Sequence, residues 1–430
     1  MLKVEQIFEN VKITELSYEG YGILKSQNKT ILIKNVLPNE IADIKITKVT
    51  SKVAYAEVIK FHLRSKERTN LDYQDDAPLL IMPYQRQLEF KQGIISNLVK
   101  RNLNFKLDNF IVPSPLILKY RNKIKFFVKV LNNQINFGRY EKLTNKLVLV
   151  SDFILATDGI NRSIQIIKNI FNDWLSLFSS VEEITIRESN LNGAQILIIK
   201  SKKHLNLNKT KNLIFNNTKI EQIVCVSKNT VEIYNKFDSH TNLLMNIENL
   251  KFEISWNSFF QINNSQIFNL YNLLIENLNL NQNQSLLDLY CGVGTISSFL
   301  ALKTKKVIGL EIIPEAVQFA KNNATLNQIN NLFFFAGDVE KTIKFVKNDV
   351  QTIVVDPPRE GLSEQTIKSI IDFKPKQIGY ISCNPHTFVR DAKILLNHNY
   401  RINFMQSVDM FPNTYHIELV AVFCQNEEKK

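Results

Sequence analysis

The sequence predicts an α/β protein, with a doubly wound sheet over residues 251–430, a small β-barrel over 1–62 and a mixed α/β segment over 63–250. Three observations carry this. From residue 251 onward, apolar runs of strand length alternate with helical stretches, the rhythm of β–α–β units and a parallel sheet. Up to residue 62, apolar residues alternate singly in short runs broken by turn residues, the rhythm of small β-structures. Charge is split as well: residues 1–250 hold 36 Lys and Arg against 24 Asp and Glu, whereas 251–430 hold 17 of each, so the whole excess of +12 sits in the front part. That asymmetry suits a polyanion on the front and small-molecule chemistry on the back.

At 430 residues the chain fits two or three domains. No stretch approaches the ~18 uninterrupted apolar residues of a membrane span. The N-terminus, MLKVEQIFEN, lacks the basic-then-apolar layout of a secretion signal, so a cytoplasmic location is expected. The chain is read as a monomer. Cys225, Cys291, Cys383 and Cys424 show no CxxC spacing, which argues against zinc, an iron–sulfur cluster or a disulfide framework; no metal site is expected.

Within 1–62, the runs VKITELSYEGYG, KTILIKNV, ADIKITKV and VAYAEVIKFH alternate and are rich in Val, Ile, Thr and Tyr. Gly20 and Gly22 flank Tyr21 at a tight bend, and Pro38-Asn39-Glu40 marks a turn, which together suggest a barrel of oligonucleotide-binding type. Tyr18 and Tyr21 are open to two readings, stacking on RNA or packing within the barrel. Residues 63–80 are polar and aperiodic and read as a linker. Helical spacing over 84–102 predicts a helix that packs on the last domain. Residues 113–250 offer strands in KIKFFVKVL, KLVLVSDFIL, AQILIIKS and VEIYNKF and a helix around 160–178.

In the last domain, LLDLY (286–290), KVIGLEI (306–312), NLFFFAGD (331–338), TIVVD (352–356) and KQIGYIS (376–382) read as parallel strands, and HIELVAVFC (416–424) as an antiparallel strand at the edge. The first ends in Asp288-Leu289-Tyr290-Cys291-Gly292-Val293-Gly294, a Gly-x-Gly turn opening a helix, which brings a nucleotide-type ligand close to backbone. Ser297 stands where a dinucleotide fingerprint has its third glycine, which weakens the case for an NAD oxidoreductase. Glu311 ends the next strand one β–α–β step on, where a carboxylate can accept both hydroxyls of a ribose. Asp338 and Asp356 end the third and fourth strands on the same edge; helix capping is the alternative reading for each.

Asp356-Pro357-Pro358-Arg359-Glu360-Gly361 is stiffened by two prolines. Cys383 follows the fifth strand, and Asn384-Pro385 suits the cap and first turn of a helix. The positive end of that helix is expected to lower the thiol pKa and favour thiolate. Covalent catalysis by that thiolate also needs a base. Asp409, His416 and Glu418 are candidates, Glu418 best placed by chain order.

The segments LLDLYCGVGT, VVDPPREGL, YISCNPHTFVRD and DMFPNTYHIELVAVF together resemble the RNA 5-methyluridine (uracil-C5) methyltransferase family, over the whole chain. SFFQIN (258–263) and YRNKIKFFV (120–128) are similar to further family segments, and 1–62 looks like its TRAM barrel. The resemblance implies a class I methyltransferase fold, S-adenosylmethionine contacts from Gln261, Tyr290, Glu311, Asp356 and, more weakly, Asp338, with Cys383 as nucleophile at uracil carbon 6 and Glu418 as base. Arg121 and Arg390 would lie near RNA or support the site. The target uridine must leave its stack to reach Cys383. Many members carry cysteines near 69–80 and 153 for an iron–sulfur cluster; RTNLDYQDDAPL and SDFIL have none, so no cluster is expected. TRAM-bearing members point to 23S ribosomal RNA ahead of transfer RNA. Competing readings are a non-catalytic RNA-binding or assembly protein and a methyltransferase for cytosine carbon 5.

Overall fold

The computed structural model describes residues 2–26, 29–141, 147–150, 152–228, 230–237, 242–346 and 350–426. By contacts the chain falls into two compact units: Met1–Ile94 with Gly138–Val150 and Phe411–His416, and Ile95–Phe137 with Ser151–Met410 and Ile417–Lys430.

The first unit holds β1 (Ile7–Lys12), β2 (Gly22–Ser26), β3 (Lys29–Ile33), β4 (Ile41–Val49) and β5 (Val53–Leu63), in the sheet order β1-β4-β5-β3-β2. Three register shifts between β4 and β5 bend the strands and curl the sheet. A bridge from Leu16 to Gly22 brings the chain leaving β1 back toward β2. Alternating residues Ile31, Ile33, Ala42, Ile44, Ile46, Ala54 and Ala56 face inward as its core. Tyr21 is 6% exposed, which favours the packing reading for that residue. The polar stretch after β5 is tied down more firmly than a linker: Arg68 Nε and Nη2 each reach Glu40 at 2.8 Å, and Glu40 is fully buried. A buried ion pair leaves no periodic trace in sequence. Gln87 secures Phe411–His416, donating to Asn413 Oδ1 at 2.9 Å and accepting from Asn413 N at 2.8 Å.

Helix α1 (Tyr84–Leu103) belongs by its first half to the first unit and by its second half to the second, where Lys393 Nζ donates to Asn102 Oδ1 at 3.0 Å. In the second unit, β6 (Lys123–Leu131) precedes the start of β7 (Gln134–Tyr140), whose end from Gly138 onward belongs to the first unit and pairs there with β8 (Leu147–Leu149). Next come α2 (Asp158–Asp173), α3 (Leu175–Phe178), β9 (Val181–Glu188), β10 (Gln195–Ser201), α4 (Lys211–Asn217), β11 (Ile220–Val226) and β12 (Val231–Asn235). The central sheet runs β12-β11-β10-β9-β6. Helix α2 presents Ile160, Ile164, Ile167 and Phe171 on one buried face, and Thr157 Oγ1 caps it by accepting from Ile160 N.

A hairpin of β13 (Leu243–Ile247) and β14 (Leu250–Ile254) leads to α5 (Asn264–Asn277) and the last sheet. Its elements are β15 (Ser285–Leu289), α6 (Thr295–Ala301), β16 (Lys306–Glu311), α7 (Pro314–Leu326), β17 (Leu332–Ala336), α8 (Val339–Thr342), β18 (Val350–Val355), α9 (Glu364–Phe373), β19 (Gln377–Ser382), α10 (Pro385–Asn397), β20 (Tyr400–Val408) and β21 (Glu418–Gln425). The order is β17-β16-β15-β18-β19-β21-β20. The first five are parallel and coincide with the runs read from sequence. The edge assignment for HIELVAVFC needs correction: β21 is antiparallel but lies between β19 and β20. Covered on both sides, it is apolar from Leu419 to Cys424, with Leu419 through Phe423 fully buried, whereas β20 alternates weakly and takes the edge.

Among the described residues no helix is long and apolar enough to cross a membrane, and no group of three or more His, Cys, Asp or Glu could hold a metal ion.

Candidate active site

The chain order of the parallel strands reverses between β15 and β18, and the carboxyl ends of strands beside such a switch point form the ligand crevice of open α/β sheets. β15 is buried along its whole length. The chain then turns sharply through positive φ at Tyr290 (65°), Gly292 (53°) and Gly294 (82°) into α6. A β-carbon on Gly294 would stand 2.9 Å from the Phe334 ring, so a side chain is excluded there. One on Gly292 would meet no atom within 4 Å, which leaves open space over that backbone. Glu311, at the end of β16, accepts from Gly292 N at 3.1 Å and Ile313 N at 3.0 Å, which fixes its carboxylate against the turn. Ile312, next in the chain, is 62% exposed. Asp288 is fully buried and accepts from Ser297 Oγ; burial pushes its pKa up to about 8, with Asp356 and Glu311 adding to the rise.

Two segments about 140 residues apart in sequence meet within the same unit. Asn122 N donates to Ile262 O at 3.0 Å, Asn122 Nδ2 donates to Gln261 O at 2.9 Å, and Arg121 bridges to Asn263. Gln261 is buried, while Phe259 two residues earlier is 73% exposed. Arg187, 1% exposed on β9, donates from Nη1 to Ser258 O at 2.8 Å and so holds the start of the same segment. Sequence reading missed Arg187; its only signal was an arginine between Ile186 and Glu188 at the end of a strand run, ITIRE.

At the other side of the switch point stand Cys383, Glu418, Asp356 and Arg359. Ser382 pairs with Leu419 across the antiparallel β19–β21 ladder, so one residue further on Cys383 lies opposite Glu418. Glu418 is 2% exposed and its Oε2 has no hydrogen-bond partner. Burial drives its pKa well above the carboxylate range; Asp356 adds to this and Arg359 opposes it. Asp356, half-buried after β18, is pushed up to about 7 by desolvation. The thiol of Cys383 is pushed up to about 12 by burial first and then by Glu418 and Asp356, with Arg359 opposing. This corrects the expected lowering. Asn384 does cap α10, accepting from His386 N at 3.1 Å, but the desolvated thiol beside two carboxyl groups outweighs the helix end.

The Pro-Pro loop is locked onto α10. Asn384 Nδ2 donates to Arg359 O at 3.0 Å, and Arg390 Nη2 donates to Glu360 O and Leu362 O at 2.9 and 2.8 Å. Arg390 thus braces the loop that carries Asp356 and Arg359. Arg359 itself was quoted in the sequence motif but given no role.

The remaining candidates have partners of their own. Asp338 caps the short α8, accepting from Glu340 N at 2.9 Å. The ring of His416 lies 4.3 Å from that of Tyr415 and 6.0 Å from that of Phe411, within the first unit. Asp409 is fully buried, and its backbone N–H donates to Val112 O at 2.9 Å. Tyr290 OH lies 3.4 Å from Thr366 Oγ1. Arg121 sits over the rings of Tyr120 and Phe153 at 5.9 and 5.6 Å.

Residues 83–426 match the family model described as tRNA (Uracil-5-)-methyltransferase, and residues 8–59 match the TRAM domain model. An uncharacterized RNA methyltransferase of Lactobacillus johnsonii is 32% identical over 447 aligned residues, covering 97% of this chain and 98% of that protein. One from Bacillus cereus is also 32% identical, covering 98% and 97%. Among solved structures, the Pyrococcus abyssi tRNA (uracil-54, C5)-methyltransferase in complex with S-adenosyl-L-homocysteine superposes with a TM-score of 0.79 at 26% identity, covering 96% of this chain and 99% of that one. With four-fifths of its length inside one family model and relatives aligned from end to end, the chain belongs to the tRNA (Uracil-5-)-methyltransferase family of RNA methyltransferases and carries a TRAM domain at its N-terminus.

Proposed function

We propose that the protein transfers a methyl group from S-adenosylmethionine to carbon 5 of a uridine in RNA, with Cys383 as covalent nucleophile and Glu418 as proton-abstracting base. The observation that carries this is the facing of Cys383 and Glu418 across the β19–β21 ladder, beside Asp356 and Arg359.

The residues fit this methyl donor. Open space lies over Gly292, Ile312 offers exposed apolar surface beside Glu311, and Asp356 adds to the raised pKa of both Asp288 and Glu418, a build-up of acidic groups that a cationic group would relieve. Glu311 would hold the ribose hydroxyls, with Gln261, Tyr290, Asp356 and Asp338 as further contacts. When bound, the donor supplies an electrophilic methyl carbon.

Uracil carbon 5 is a weak nucleophile. Cys383 as thiolate would add through Sγ to carbon 6, forming a C–S bond and placing the ring's electron pair on carbon 5, which would take the methyl as the donor's sulfur–methyl bond breaks and a neutral thioether leaves. Glu418 as carboxylate takes the carbon 5 proton, and the C–S bond breaks to return the thiolate. Arg359 favours the charged forms of both groups.

For substrate we favour 23S ribosomal RNA, read from the TRAM-bearing arrangement. Transfer RNA is the second reading, supported by the end-to-end likeness to the P. abyssi enzyme. A nucleoside map of ribosomal and transfer RNA from cells with and without the gene decides between them: loss of 5-methyluridine from transfer RNA alone would reject the first reading, and loss from neither would reject both. Cytoplasmic location and a monomeric state belong to the same proposal.

A further inference from the structure

We infer that the outer edge of the central sheet is a second RNA-docking site, in which a hollow takes an unstacked base and the surrounding lysines take the flanking phosphates. This rests on the reading of the protein as an RNA methyltransferase and extends it to a surface remote from Cys383.

The hollow has a volume of about 330 Å³ and is lined by His204, Asn206, Asn208, Glu232, Ile233 and Tyr234. Its wall is preset: His204 Nε2 lies 2.6 Å from Glu232 Oε1, and Tyr234 OH donates to Glu232 Oε2 at 2.7 Å. Lys211 Nζ stands 5.4 Å from the Tyr234 ring centroid. Side-chain amides, an imidazole and a carboxylate provide donors and acceptors for a base edge, and the phenol ring offers an aromatic face.

Charge identifies the partner as a polyanion. Residues 195–237 hold eight lysines against two glutamates, with no Arg or Asp, so a tenth of the chain carries half of its formal excess of +12. Lys200 and Lys202 are paired with Glu183 and Glu182 at 3.1 and 3.5 Å. Lys203, Lys209 and Lys228 are exposed and form no ion pair among the described residues. β12 is the edge strand, four strands from β6. At ~4.8 Å per strand that is about 19 Å, or roughly six nucleotides of stacked strand at ~3.4 Å each. An RNA strand seated on this edge therefore reaches β6 within a short single-stranded stretch.

The test uses the full chain and an in vitro transcript of 23S ribosomal RNA, with filter binding across a potassium chloride series. Lys203→Ala/Lys209→Ala/Lys228→Ala should weaken binding about tenfold or more near ~0.1 M salt and lower the slope of log affinity against log salt by about 2–3. Methyl transfer at saturating RNA should stay unchanged. Lys303→Ala/Lys305→Ala/Lys368→Ala, three exposed lysines of the last domain, should leave affinity and slope as in the wild type. In the wild type, a transcript carrying 4-thiouridine should photo-crosslink within 195–237. Unchanged affinity and slope in the first variant, equal loss in both, or no crosslink there would overturn the inference. Binding that responds as expected in a wild-type protein that transfers no methyl to any RNA would instead reject the uracil reading and leave the docking edge standing.

Discussion

Cys383 and Glu418 stand opposite each other one residue beyond the Ser382–Leu419 pair of an antiparallel ladder, so the nucleophile and base of the proposed reaction are set by one strand register. A one-residue slip would turn Glu418 to the other face of the sheet. Apolar burial on both sides guards against that: Leu419 through Phe423 are fully buried between β19 and β20.

This pairing separates two substitutions. Cys383→Ala should abolish methyl transfer, a fall beyond about a thousandfold, because nothing else at the site can add to carbon 6. Glu418→Gln should keep the fold, since burial already favours the neutral form of the wild-type carboxyl. It should nonetheless stall the reaction after methylation, leaving a protein–RNA adduct that survives denaturing electrophoresis. Turnover by the alanine variant, or no adduct with the glutamine variant, would reject the covalent scheme.

Activity should rise with pH. Burial favours the protonated forms of both the thiol and the carboxyl, whose pKa values are raised above their ordinary range, and the reaction must remove both protons. Rates measured as kcat/KM should therefore climb from about pH 6.5 to about pH 9. Arg359 opposes both shifts, so Arg359→Gln should move the profile to higher pH and lose more activity at about pH 7 than at about pH 9. A flat wild-type profile would show that neither proton limits the reaction.

Much of the last domain could be read before its structure was seen, because strand-length apolar runs and Gly-x-Gly or Asp-Pro-Pro turns are local features. The five parallel strands and the Asn384 cap appear where the pattern put them. What was misread depends on contacts distant in sequence. β20 was missed because its exposed and buried residues alternate only partly, and the polar 63–80 stretch concealed the buried Arg68–Glu40 pair. The thiol pKa went the wrong way because a helix end can be seen from Asn384-Pro385, whereas desolvation beside Asp356 and Glu418 cannot.

Stability should fall as pH rises through neutrality. Asp288 and Asp356 have folded-state pKa values of about 8 and about 7, above the ~3.9 of an unfolded Asp. The folded chain therefore binds protons that the unfolded chain has lost between about pH 4 and about pH 8, and stability declines across that window. Asp288→Asn keeps an oxygen acceptor for Ser297 Oγ and removes the charge. Its Tm should gain on the wild type as pH increases, with the gap larger at about pH 8.5 than at about pH 5.5 in calorimetric scans. A gap that does not change with pH would mean that Asp288 is not titrating as described.

Asp391 offers a way to loosen the Asp356–Gly361 loop without touching it. It is fully buried and accepts from Tyr380 OH and Leu362 N, both at 2.8 Å, and from Arg390 Nε at 2.7 Å. Asp391→Ala strands two buried donors and frees Arg390, the brace on Glu360 and Leu362. The cost in stability should be about 2–4 kcal/mol, read as a lower denaturant midpoint. Gly361→Ala strikes the same joint from the other side: its φ of +74° disfavours a side chain, and a β-carbon would fall 2.6 Å from Asp391 Oδ2. If the loop positions Asp356 and Arg359, Gly361→Ala should lower kcat more than it raises the KM for RNA. Asp356 and Arg359 would remain present but poorly aimed, a defect that saturating RNA cannot repair. A variant that lost stability yet kept the wild-type kcat would show that the joint serves the fold alone.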